Sequence, residues 1–426
     1  MYDVIVVGGG AAGFFSAIQI AAQRPSSKIA ILERGKEVLT KVKVSGGGRC
    51  NVTHAEFDPK ALVSNYPRGE KELLGPFHQF SSGDTVDFFE KKGVSLKIEE
   101  DGRMFPVTDS SQTIIDCFTD EAERLGVQVF KLCSVTGIER SNNNGNNIWQ
   151  IKTTKDVFSS KKLLLATGSN PKIWEMLGQM GHTIVPPVPS LFTFNINDER
   201  INKIPGISTY AEVSILDKNK SRRNFKNGSN VQGVLFSDGP LLITHWGMSG
   251  PAILKLSAWG ARLLESYNYQ FKIKVNWVPE YHQEGLLQLF LKIKQEEKKT
   301  ILRTKAVDLP KRLWGNLVRA ADINDTLTWP EASKDQLIRL ASELTNCVFI
   351  VNGKSTFKEE FVTAGGVDLK EINFKTFESK ILGGLYLAGE IINVDAITGG
   401  FNFQNAWTSG YLSARGIVNS LNNTSL

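Results

Sequence analysis

The amino terminus contains the pattern that most restricts the fold of this chain. An apolar stretch, Tyr2–Val7, has the length of a buried strand and runs into Gly-Gly-Gly-Ala-Ala-Gly, after which residues 14–23 follow a helical pattern. The glycines at positions 8, 10 and 13 form G-x-G-x-x-G between strand and helix. Gly8 permits the tight turn, Gly10 lets the backbone approach a pyrophosphate, and Gly13 lets the helix pack close to the strand. This segment therefore predicts a dinucleotide-binding fold.

The residues around this loop supply the other groups that a dinucleotide needs. Ala11 and Ala12 belong to this loop and are expected to contact the cofactor, and the free N–H groups and dipole of the following helix favour the negative charge of a pyrophosphate. A second apolar strand, residues 28–32, ends at Glu33, whose carboxylate can accept hydrogen bonds from both hydroxyls of an adenosine ribose. An acid at this place favours an unphosphorylated ribose, so FAD or NAD is expected rather than NADP. We also expect Arg34, the next residue, to contact the cofactor.

Composition limits the remaining possibilities. The 426 residues allow two or three domains, and 41% hydrophobic with 22% charged residues is ordinary for a globular protein. The net charge of +6 is mild, and the mixed run at residues 296–299 is typical of a solvated helix face, so no nucleic-acid partner is expected. The four cysteines form no C-x-x-C pair, which predicts a reducing, cytoplasmic location and no metal site. No apolar run approaches the roughly 20 residues of a membrane span, so no membrane partner is expected.

The carboxyl-terminal part of the sequence distinguishes FAD from NAD. A short apolar strand, residues 385–387, is followed by Gly389 and Glu390, and a second glycine turn then opens an apolar-periodic helix. If the strand joins the first sheet, the acid lies near the middle of an elongated cofactor and the helix N-terminus faces its far end. A reduced flavin carries negative charge at that end, which the helix dipole would stabilise. The residues of the second turn expected to bind the cofactor are Gly399, Gly400, Phe401 and Asn402.

An unusual run, Ser-Gly-Gly-Gly-Arg-Cys-Asn, begins at Ser45. Gly46, Gly47 and Gly48 would let the chain run against the pyrophosphate or the isoalloxazine without side-chain clash. Cys50 is either a redox-active or proton-donating thiol beside the flavin, or a small residue packed against the ring. No C-x(4)-C pair exists for a disulfide relay. For the two remaining side chains, we expect Arg49 to offer a cation to phosphate or to a substrate carboxylate, and Asn51 to bond the flavin edge.

These motifs together resemble, from end to end of the chain, the two-domain BaiN-type (YhiN-like) flavoproteins, within the glutathione-reductase-like FAD superfamily. The run from Ser45 is the most specific of them. Three positions depart from the common pattern: Ser169 and Ala396 stand where glycine is common, and Asn393 stands where aspartate is common. The motifs that carry the resemblance are residues 8–13, 45–51, 166–168, 244–252, 362–367, 389–390 and 398–402.

The resemblance implies an α/β protein with a Rossmann-like FAD-binding domain, a three-layer arrangement around a parallel sheet. Residues 1–190 and 346–426 would form this domain. Ala166, Thr167 and Gly168 would end one of its strands at the carboxyl edge of the sheet, where such folds bind ligands. An inserted domain, residues 191–345, would consist of a small β-barrel over residues 191–280 and a helical part over residues 281–345, as strand-like and then helical patterns indicate.

His245 is the second candidate catalytic residue, beside Cys50. It belongs to the glycine-bracketed segment 244–251 of the inserted domain, which could close over the flavin and present the imidazole as an acid or orienting group. A structural histidine bonded to backbone is the alternative. Residues 363–367 form either a loop facing the cofactor or a turn entering a sheet. The other histidines have no partners at metal spacing and are expected to be structural or exposed: His54, His78, His182 and His282.

The sequence therefore predicts an FAD-dependent oxidoreductase, a reductase of a small organic substrate fed by NADH or NADPH. The alternatives are a flavin oxidase that uses oxygen and an RNA-binding, tRNA-modifying flavoprotein, since such enzymes share the superfamily. No second G-x-G-x-x-G follows Gly13 in the 426 residues. Any nicotinamide is therefore expected to bind transiently, over the flavin face that the substrate uses later. The sequence leaves the substrate and the oligomeric state open.

Overall fold

The structure is a computed structural model that describes residues 1–143, 146–216, 235–355 and 362–423. The chain separates into two compact units. The first comprises Met1–Val188 together with Lys358–Leu426, and the second comprises Pro189–Phe357. Within the described ranges, no helix is both long and apolar enough to cross a membrane.

The elements are numbered in chain order. The helices are Ala11–Gln23 (α1), Thr40–Gly48 (α2), Pro59–Val63 (α3), Glu70–Phe77 (α4), Ser82–Lys91 (α5), Ser111–Arg124 (α6), Pro171–Gln179 (α7), Pro251–Ser266 (α8), Gln283–Glu296 (α9), Lys311–Ala320 (α10), Lys334–Thr345 (α11) and Phe401–Asn423 (α12). The strands are Tyr2–Val7 (β1), Ile29–Leu32 (β2), Thr53–His54 (β3), Leu96–Ile98 (β4), Arg103–Pro106 (β5), Gln128–Phe130 (β6), Val135–Asn143 (β7), Asn146–Thr153 (β8), Val157–Leu165 (β9), Ile184–Pro189 (β10), Thr193–Asn195 (β11), Ser208–Leu216 (β12), Phe236–Thr244 (β13), Gly247–Ser249 (β14), Gln270–Asn276 (β15), Cys347–Asn352 (β16), Lys354–Ser355 (β17), Thr363–Val367 (β18), Ile372–Asn373 (β19), Glu378–Ser379 (β20) and Leu385–Leu387 (β21).

The first unit is built on a nine-stranded sheet. Its centre is parallel, in the order β21, β9, β1, β2 and β6. The flanking strands are antiparallel: β8 pairs with β9 and β7 with β8, while β20 pairs with β21 and β19 with β20. The sheet is therefore mixed rather than parallel throughout, because chain neighbours joined by short connections, such as β7 and β8, can pair only antiparallel.

Burial explains why the central strands are apolar along their whole length. Residues 4–7 of β1, all of β2 and residues 163–165 of β9 are buried, as expected where helices cover both faces of a parallel sheet. Helix α1 packs against α12, and an added Cβ at Gly410 would lie 3.0 Å from Ser16 Oγ. The two helices approach this closely because Gly410 has no side chain. Phe15 and Trp407 meet in an aromatic cluster beside this contact, with ring centroids 5.5 Å apart.

Two smaller ladders complete the first unit. Strands β3, β5 and β4 form a three-stranded antiparallel sheet that carries the segment following Asn51. Strands β10 and β18 pair with each other. An added Cβ at Gly365 of β18 would lie 2.6 Å from Pro187 Cα, so the backbone contact between these strands requires glycine. Residues 363–367, expected to form either a loop facing the cofactor or a turn entering a sheet, form strand β18 itself, so neither alternative describes their backbone.

The second unit contains a seven-stranded sheet in the order β16, β15, β12, β13, β14, β11 and β17. Its edge strands β16 and β17 are consecutive in the chain and are separated only by Gly353, which has φ +113°. One kinked stretch of chain therefore supplies both edges, and the sheet curls round as in a small barrel. Helices α9, α10 and α11 add a helical layer whose buried residues, such as Phe290, Leu317 and Leu340, join the same apolar core.

The second boundary differs from the expected one. The sequence analysis placed residues 346–357 in the FAD-binding domain, but β16 pairs antiparallel with β15 of the second unit from Gln270↔Asn352 to Val275↔Cys347. Strand β17 pairs with β11 of the same unit. The sequence pattern marked the end of the helical segment as the end of the insertion, whereas the sheet of the insertion includes two more strands, β16 and β17.

Candidate functional site

The glycine loop between β1 and α1 has the geometry that its three glycines require. An added Cβ at Gly8, which has φ +110°, would lie 2.3 Å from the carbonyl oxygen of Ala166. An added Cβ at Gly13 would lie 1.9 Å from the carbonyl oxygen of Gly8. An added Cβ at Gly10 would meet nothing within 4 Å. Gly8 and Gly13 therefore serve the packing of the loop, whereas Gly10 borders open space at the start of α1.

The predicted ribose ligand, Glu33, is fixed by this loop. Its Oε2 accepts the N–H of Gly9 at 2.7 Å and its Oε1 accepts the N–H of Gly35 at 2.6 Å. These bonds orient the carboxylate, and each oxygen retains a lone pair that can accept a further hydrogen bond. A ribose hydroxyl is compatible with this arrangement.

A cavity of about 120 Å³ adjoins Glu33. The buried hydroxyl of Thr167, in its wall, has no hydrogen-bond partner among the described residues. A buried polar atom without a partner is costly, so it indicates a position that a ligand satisfies. The cavity, the open side of Gly10 and the free N–H groups of α1 fit the adenosine diphosphate half of FAD. The residues lining the cavity include Gly8, Glu33, Arg34, Ser134, Thr167, Asn170 and Lys172.

The run Ser45–Asn51 forms a tight loop after the first turn of α2. Gly46, Gly47 and Gly48 have φ of +59°, +69° and +84°, values that residues with a side chain rarely adopt. An added Cβ at Gly46 would lie 2.7 Å from Phe105, whereas Gly47 and Gly48 face open space. The loop closes through a 3.0 Å hydrogen bond from the N–H of Cys50 to the carbonyl oxygen of Ser45. Gly46 is therefore needed for packing, and the next two glycines leave room for a ligand.

Cys50 points into the core rather than toward solvent. Its relative exposure is 0%, and it belongs to the same apolar cluster as Val42 and Val52. Burial raises the pKa of its thiol to about 12, against a smaller lowering effect from its hydrogen bond with Ser45. A thiolate at neutral pH is therefore disfavoured, and these observations support the packing alternative for Cys50 over a catalytic one.

Arg49 is held by acidic side chains. Its Nη1 lies 2.5 Å from Glu99 Oε1 and 3.5 Å from Asp109 Oδ1, and its guanidinium stacks 3.9 Å from the ring centroid of Phe105. These partners lie on or beside the hairpin of β4 and β5. The predicted role of Arg49 as a cation for phosphate or substrate stays a prediction, since its charge is already balanced by carboxylates.

Asn51 joins the amino-terminal loop to the second glycine turn. In the amide orientation that satisfies its neighbours, its oxygen accepts the N–H of Gly400 at 2.9 Å and its nitrogen donates to the carbonyl oxygen of Thr53 at 3.0 Å. An added Cβ at Gly400 would lie 2.5 Å from that same carbonyl oxygen. Asn402 steadies the other side of the turn through bonds of 3.0 and 3.1 Å with the backbone of Ala396. The structure thus brings together two motifs that are distant in sequence.

Phe401, the first residue of α12, is fixed by two aromatic residues that the sequence analysis did not assign to the site. His54 stacks on Phe401 with ring centroids 4.5 Å apart, and its Nδ1 lies 3.0 Å from the carbonyl oxygen of Gly399. Burial lowers the pKa of His54. The hydroxyl of Tyr66 donates to the carbonyl oxygen of Phe401 at 2.6 Å. His54 is thus structural at this turn, one of the two roles expected for it.

Gly389 and Glu390 lie against the first glycine loop. An added Cβ at Gly389 would lie 3.2 Å from Ala12 Cβ, and one at Gly168 would lie 3.5 Å from Glu390 Oε2. The ammonium of Lys41, in the first turn of α2, lies 2.5 Å from the same carboxylate oxygen. Three of the predicted segments, 8–13, 166–168 and 389–390, therefore meet here. Lys41 is a charged residue of this region that the motifs did not include.

Five further buried polar atoms of the first unit have no partner among the described residues. Two of them, Ser27 Oγ and Trp149 Nε1, lie outside the predicted motifs. The other three lie in or beside the candidate site and are the side-chain oxygens of Asn393, Asn405 and Thr363. Asn393, one of the departures from the family pattern, is anchored by its backbone N–H, which donates to the carbonyl oxygen of Val367 at 3.0 Å. Asn405 lies in the second turn of α12. Like the hydroxyl of Thr167, these three oxygens lie at positions where a polar ligand can supply the missing hydrogen bond.

The second unit carries His245 at the tip of the hairpin between β13 and β14. Thr244 pairs with Gly247, which leaves His245 and Trp246 as the exposed residues of a two-residue turn. Gly247 is required there, because an added Cβ would lie 2.2 Å from the carbonyl oxygen of Phe194. The imidazole is therefore presented on a rigid hairpin and not buried as a structural histidine. Its catalytic role stays a prediction.

The family comparison identifies the group to which these motifs belong. The model of the HI0933-like protein Rossmann domain matches residues 2–416. The chain belongs to this family. The match confirms the predicted BaiN-type resemblance and the α/β, Rossmann-like fold class. It also supports the assignment of this protein as a flavin-dependent oxidoreductase with FAD as its cofactor.

Curated relatives match nearly the whole chain. The ribosomal RNA dihydrouridine synthase of Haemophilus influenzae is 28% identical over 424 residues, 97% of this chain and 98% of that protein. The protein of the same name from Escherichia coli is 28% identical over 425 residues, 98% of each chain. The 3-dehydro-bile acid delta(4,6)-reductase of Clostridium scindens is 27% identical over 427 residues, 97% of this chain and 98% of that protein.

Proposed function

We propose that this protein reduces a carbon–carbon double bond conjugated to a carbonyl group, with electrons that NADH or NADPH delivers to FAD. The names of the relatives support the reaction class. Dihydrouridine is uridine with its ring double bond saturated, and a delta(4,6)-reductase saturates double bonds of a 3-oxo steroid. In both substrates the double bond is activated by a carbonyl. The observation that carries the proposal is the first unit's set of open glycines and unpartnered polar atoms, which fits FAD.

Different residues of this chain would bind the cofactor and donate the proton. Gly10, the N-terminus of α1 and Glu33 would hold the adenosine diphosphate half. The N-terminus of α12 offers backbone N–H groups that have no partner within the helix, and they favour negative charge nearby. When bound, FAD would supply hydride transfer between the nicotinamide and the substrate. His245 is the proposed proton donor to the substrate, because its imidazole is exposed at the tip of the β13–β14 hairpin and histidine is the side chain most often used for general acid catalysis.

The order in which the nicotinamide and the substrate bind is inferred from the single glycine motif. Because no second G-x-G-x-x-G exists, we propose that the nicotinamide binds transiently and leaves before the substrate binds. Steady-state kinetics should then give parallel double-reciprocal lines, with each substrate in excess competing against the other. Intersecting lines, together with a ternary complex trapped by a redox-inactive nicotinamide analogue, would show a separate docking site and contradict this order.

The decisive experiment separates the two half-reactions. The yellow protein is reduced anaerobically with NADH or NADPH, and the reduced form is then mixed with a steroid 4-en-3-one, a uridine-containing ribosomal RNA fragment, or oxygen. We expect reduction by a nicotinamide and reoxidation by one of the alkenes. Reoxidation by oxygen alone would favour the oxidase alternative and contradict the reductase.

A variant pair tests the role of His245. His245→Gln should slow reoxidation by the alkene and leave reduction by the nicotinamide unchanged, because only the alkene half-reaction consumes a proton from the protein. His282→Gln is the matched control, an exposed histidine of the same unit just before α9. Equal reoxidation rates for His245→Gln and His282→Gln would remove His245 from the mechanism.

The distribution of charge favours RNA as a second candidate substrate class, beside small molecules. Residues 189–357 carry 23 Lys and Arg against 16 Asp and Glu, whereas the rest of the chain carries 27 against 28. All of the net positive charge is therefore in the insertion, a distribution that the total of +6 conceals. Such asymmetry is typical of proteins that bind polyanions.

The exposed basic residues of the helical part also favour RNA as a substrate class. Lys311 and Arg312 occupy the first turn of α10, where cations are unfavourable beside the positive end of the helix dipole. Their presence is therefore not explained by helix stability. The sequence analysis expected the mixed run at 296–299 to be a solvated face, but exposed cations continue beyond it. The exposed basic residues between positions 292 and 312 are Lys292, Lys298, Lys299, Arg303, Lys305, Lys311 and Arg312.

RNA binding is tested without turnover. Affinity for a ribosomal RNA fragment is measured against salt for the wild type, for Lys311→Glu combined with Arg312→Glu, and for the control Lys334→Glu on α11. If both cations contact phosphates, the slope of log affinity against log salt should fall by about 2 for the double variant and stay unchanged for the control. Equal slopes would exclude this surface as the RNA contact.

A further inference from the structure

A cation beside the glycine loop would add to the favourable effect of the α1 N-terminus on the charge of the FAD diphosphate. Helix α1, Ala11–Gln23, contains no charged residue. Arg49, the cation expected for this role, is paired with Glu99 and Asp109. Arg34 and Lys172 line the cavity beside Glu33, at the adenosine end of the site. A further cation, Lys41, lies beside the glycine loop on α2.

Lys41 is brought to the glycine loop by the start of α2. Leu39, which precedes the helix, adopts the left-handed conformation with φ +55°, and its N–H donates to the carbonyl oxygen of Gly9 at 2.8 Å. This hydrogen bond fastens the first turn of α2 to the loop. The position of Lys41 is thus set by the backbone and not only by its long side chain.

The carboxylate partner of Lys41 lies at the same place. Glu390 Oε2, 2.5 Å from Lys41 Nζ, is also the oxygen that lies 3.5 Å from the Cβ position of Gly168. The neighbouring Gly389 packs on Ala12, in the first turn of α1. The ion pair therefore stands beside the N-terminus of α1, where an anion is most favoured. The side chain of Lys41 is 50% exposed and that of Glu390 16%, so the lysine is the member that can move.

We propose that Lys41 is the cation that contacts the FAD diphosphate. Cofactor binding would break the ion pair of Lys41 with Glu390 and replace it with the contact between Lys41 and the diphosphate. In the free protein Lys41 neutralises Glu390. In the complex Lys41 turns to the diphosphate, and Glu390 becomes free to accept hydrogen bonds from the ribityl hydroxyls. The proposal goes beyond the proposed function, because it concerns how the cofactor is loaded and requires no particular substrate.

The test uses apoprotein and two ligands, FAD and ADP. ADP has the diphosphate but no ribityl chain, so it reports the Lys41 contact without the Glu390 contact. Lys41→Met should weaken both ligands by about tenfold at low salt, because each loses a charge-assisted contact. It should also reduce the salt dependence of FAD binding. Glu390→Gln should weaken FAD but tighten ADP, because Lys41 no longer has a competing carboxylate.

Controls keep the result interpretable. Lys43→Met removes an exposed lysine two residues away in the same short helix, and it should change neither affinity. Lys41→Arg should restore most of the affinity for both ligands. Thermal unfolding of each apoprotein shows whether the variants fold, and Lys41→Gln replaces Lys41→Met if the latter does not.

Two outcomes would overturn the proposal. If Lys41→Met binds ADP and FAD as Lys43→Met does, Lys41 does not contact the diphosphate. If Glu390→Gln weakens ADP as well as FAD, the two side chains do not exchange partners. Neither measurement involves turnover, so both are independent of whether the protein reduces a conjugated alkene.

Discussion

Two glycines of one loop should respond in opposite ways to the same substitution. An added Cβ at Gly13 would lie 1.9 Å from the carbonyl oxygen of Gly8, whereas one at Gly10 would meet nothing within 4 Å. Gly10 has φ −93° and ψ −168°, which alanine adopts without strain. Gly13→Ala should therefore damage the fold, and Gly10→Ala should damage only the binding of FAD.

The expected stability changes follow from these distances. Cβ atoms essentially never approach other atoms within 3.0 Å, so Gly13→Ala must move α1 by roughly 1 Å, and such overpacking costs about 1 to 3 kcal/mol. For Gly10→Ala, the less flexible unfolded chain stabilises the protein by about 0.4 to 1 kcal/mol. This gain offsets the loss of stability expected because alanine is less favourable than glycine at a helix N-cap. The free energy of unfolding should therefore stay within about 1 kcal/mol of the wild type.

FAD binding should be weakened in both variants, but in Gly10→Ala without a comparable loss of stability. A methyl group at position 10 would fill the space beside the first N–H groups of α1, where we propose that the diphosphate binds. Keeping a phosphate away from these donors should lower the affinity by at least about tenfold, or about 1.4 kcal/mol. Gly13→Ala should lose FAD as well, but together with stability.

The assay measures both quantities on the apoproteins. Urea unfolding gives the free energy of unfolding, and quenching of flavin fluorescence on titration gives the dissociation constant of FAD. Wild-type affinity in a stable Gly10→Ala protein would refute the assignment of this space to the diphosphate. Wild-type stability in Gly13→Ala would refute the packing role of Gly13.

Three further substitutions test other parts of the first unit. Glu33→Gln should weaken FAD binding by about 1 to 3 kcal/mol, measured by the same titration, because a charged acceptor is replaced by a neutral amide. Asp395→Asn should lower the free energy of urea unfolding by about 3 kcal/mol or more, since Asp395 is 0% exposed and pairs with Arg68. For Cys50 the folded-state pKa of about 12 lies above the ordinary 9.0. Its contribution to stability is therefore complete below about pH 9 and declines toward pH 12 by up to about 1.4 kcal/mol per pH unit. Cys50→Ala should remove this part of the decline, and an identical pH dependence in both proteins would contradict the burial argument.

The parts of the site that could be predicted are those encoded by local spacing. Gly8, Gly10 and Gly13 lie between a strand and a helix that are adjacent in sequence, and Glu33 ends the next strand. The connection β1–α1–β2 is short, so the relative positions of these residues depend on few long-range contacts. The second glycine turn was also found, because a strand, an acid and a helix follow one another within residues 385–402.

Residues whose role depends on distant partners could not be assigned in this way. The sequence separates Arg49 from Glu99 and Asp109 by 50 and 60 positions, and nothing in the local pattern indicates that these acids face it. Lys41 was missed for the same reason, since its partner Glu390 lies 349 positions away in the sequence and the local pattern around Lys41 is that of any lysine in a short helix. The strand β16 was misplaced because its pairing partner β15 lies 72 residues earlier even at the closest residue pair, Val275↔Cys347.

For Cys50, the sequence motif and the loop geometry give complementary information. The sequence left two alternatives, because the run beginning at Ser45 brings a thiol close to three glycines and an arginine whichever way the thiol points. The loop geometry distinguishes them: Cys50 itself has φ +63°, and its N–H closes the turn onto Ser45. This conformation directs the side chain inward, where burial raises its pKa. Gly47 and Gly48 border open space on the other side of the loop, so we expect this motif to contact a ligand through its backbone rather than through its thiol.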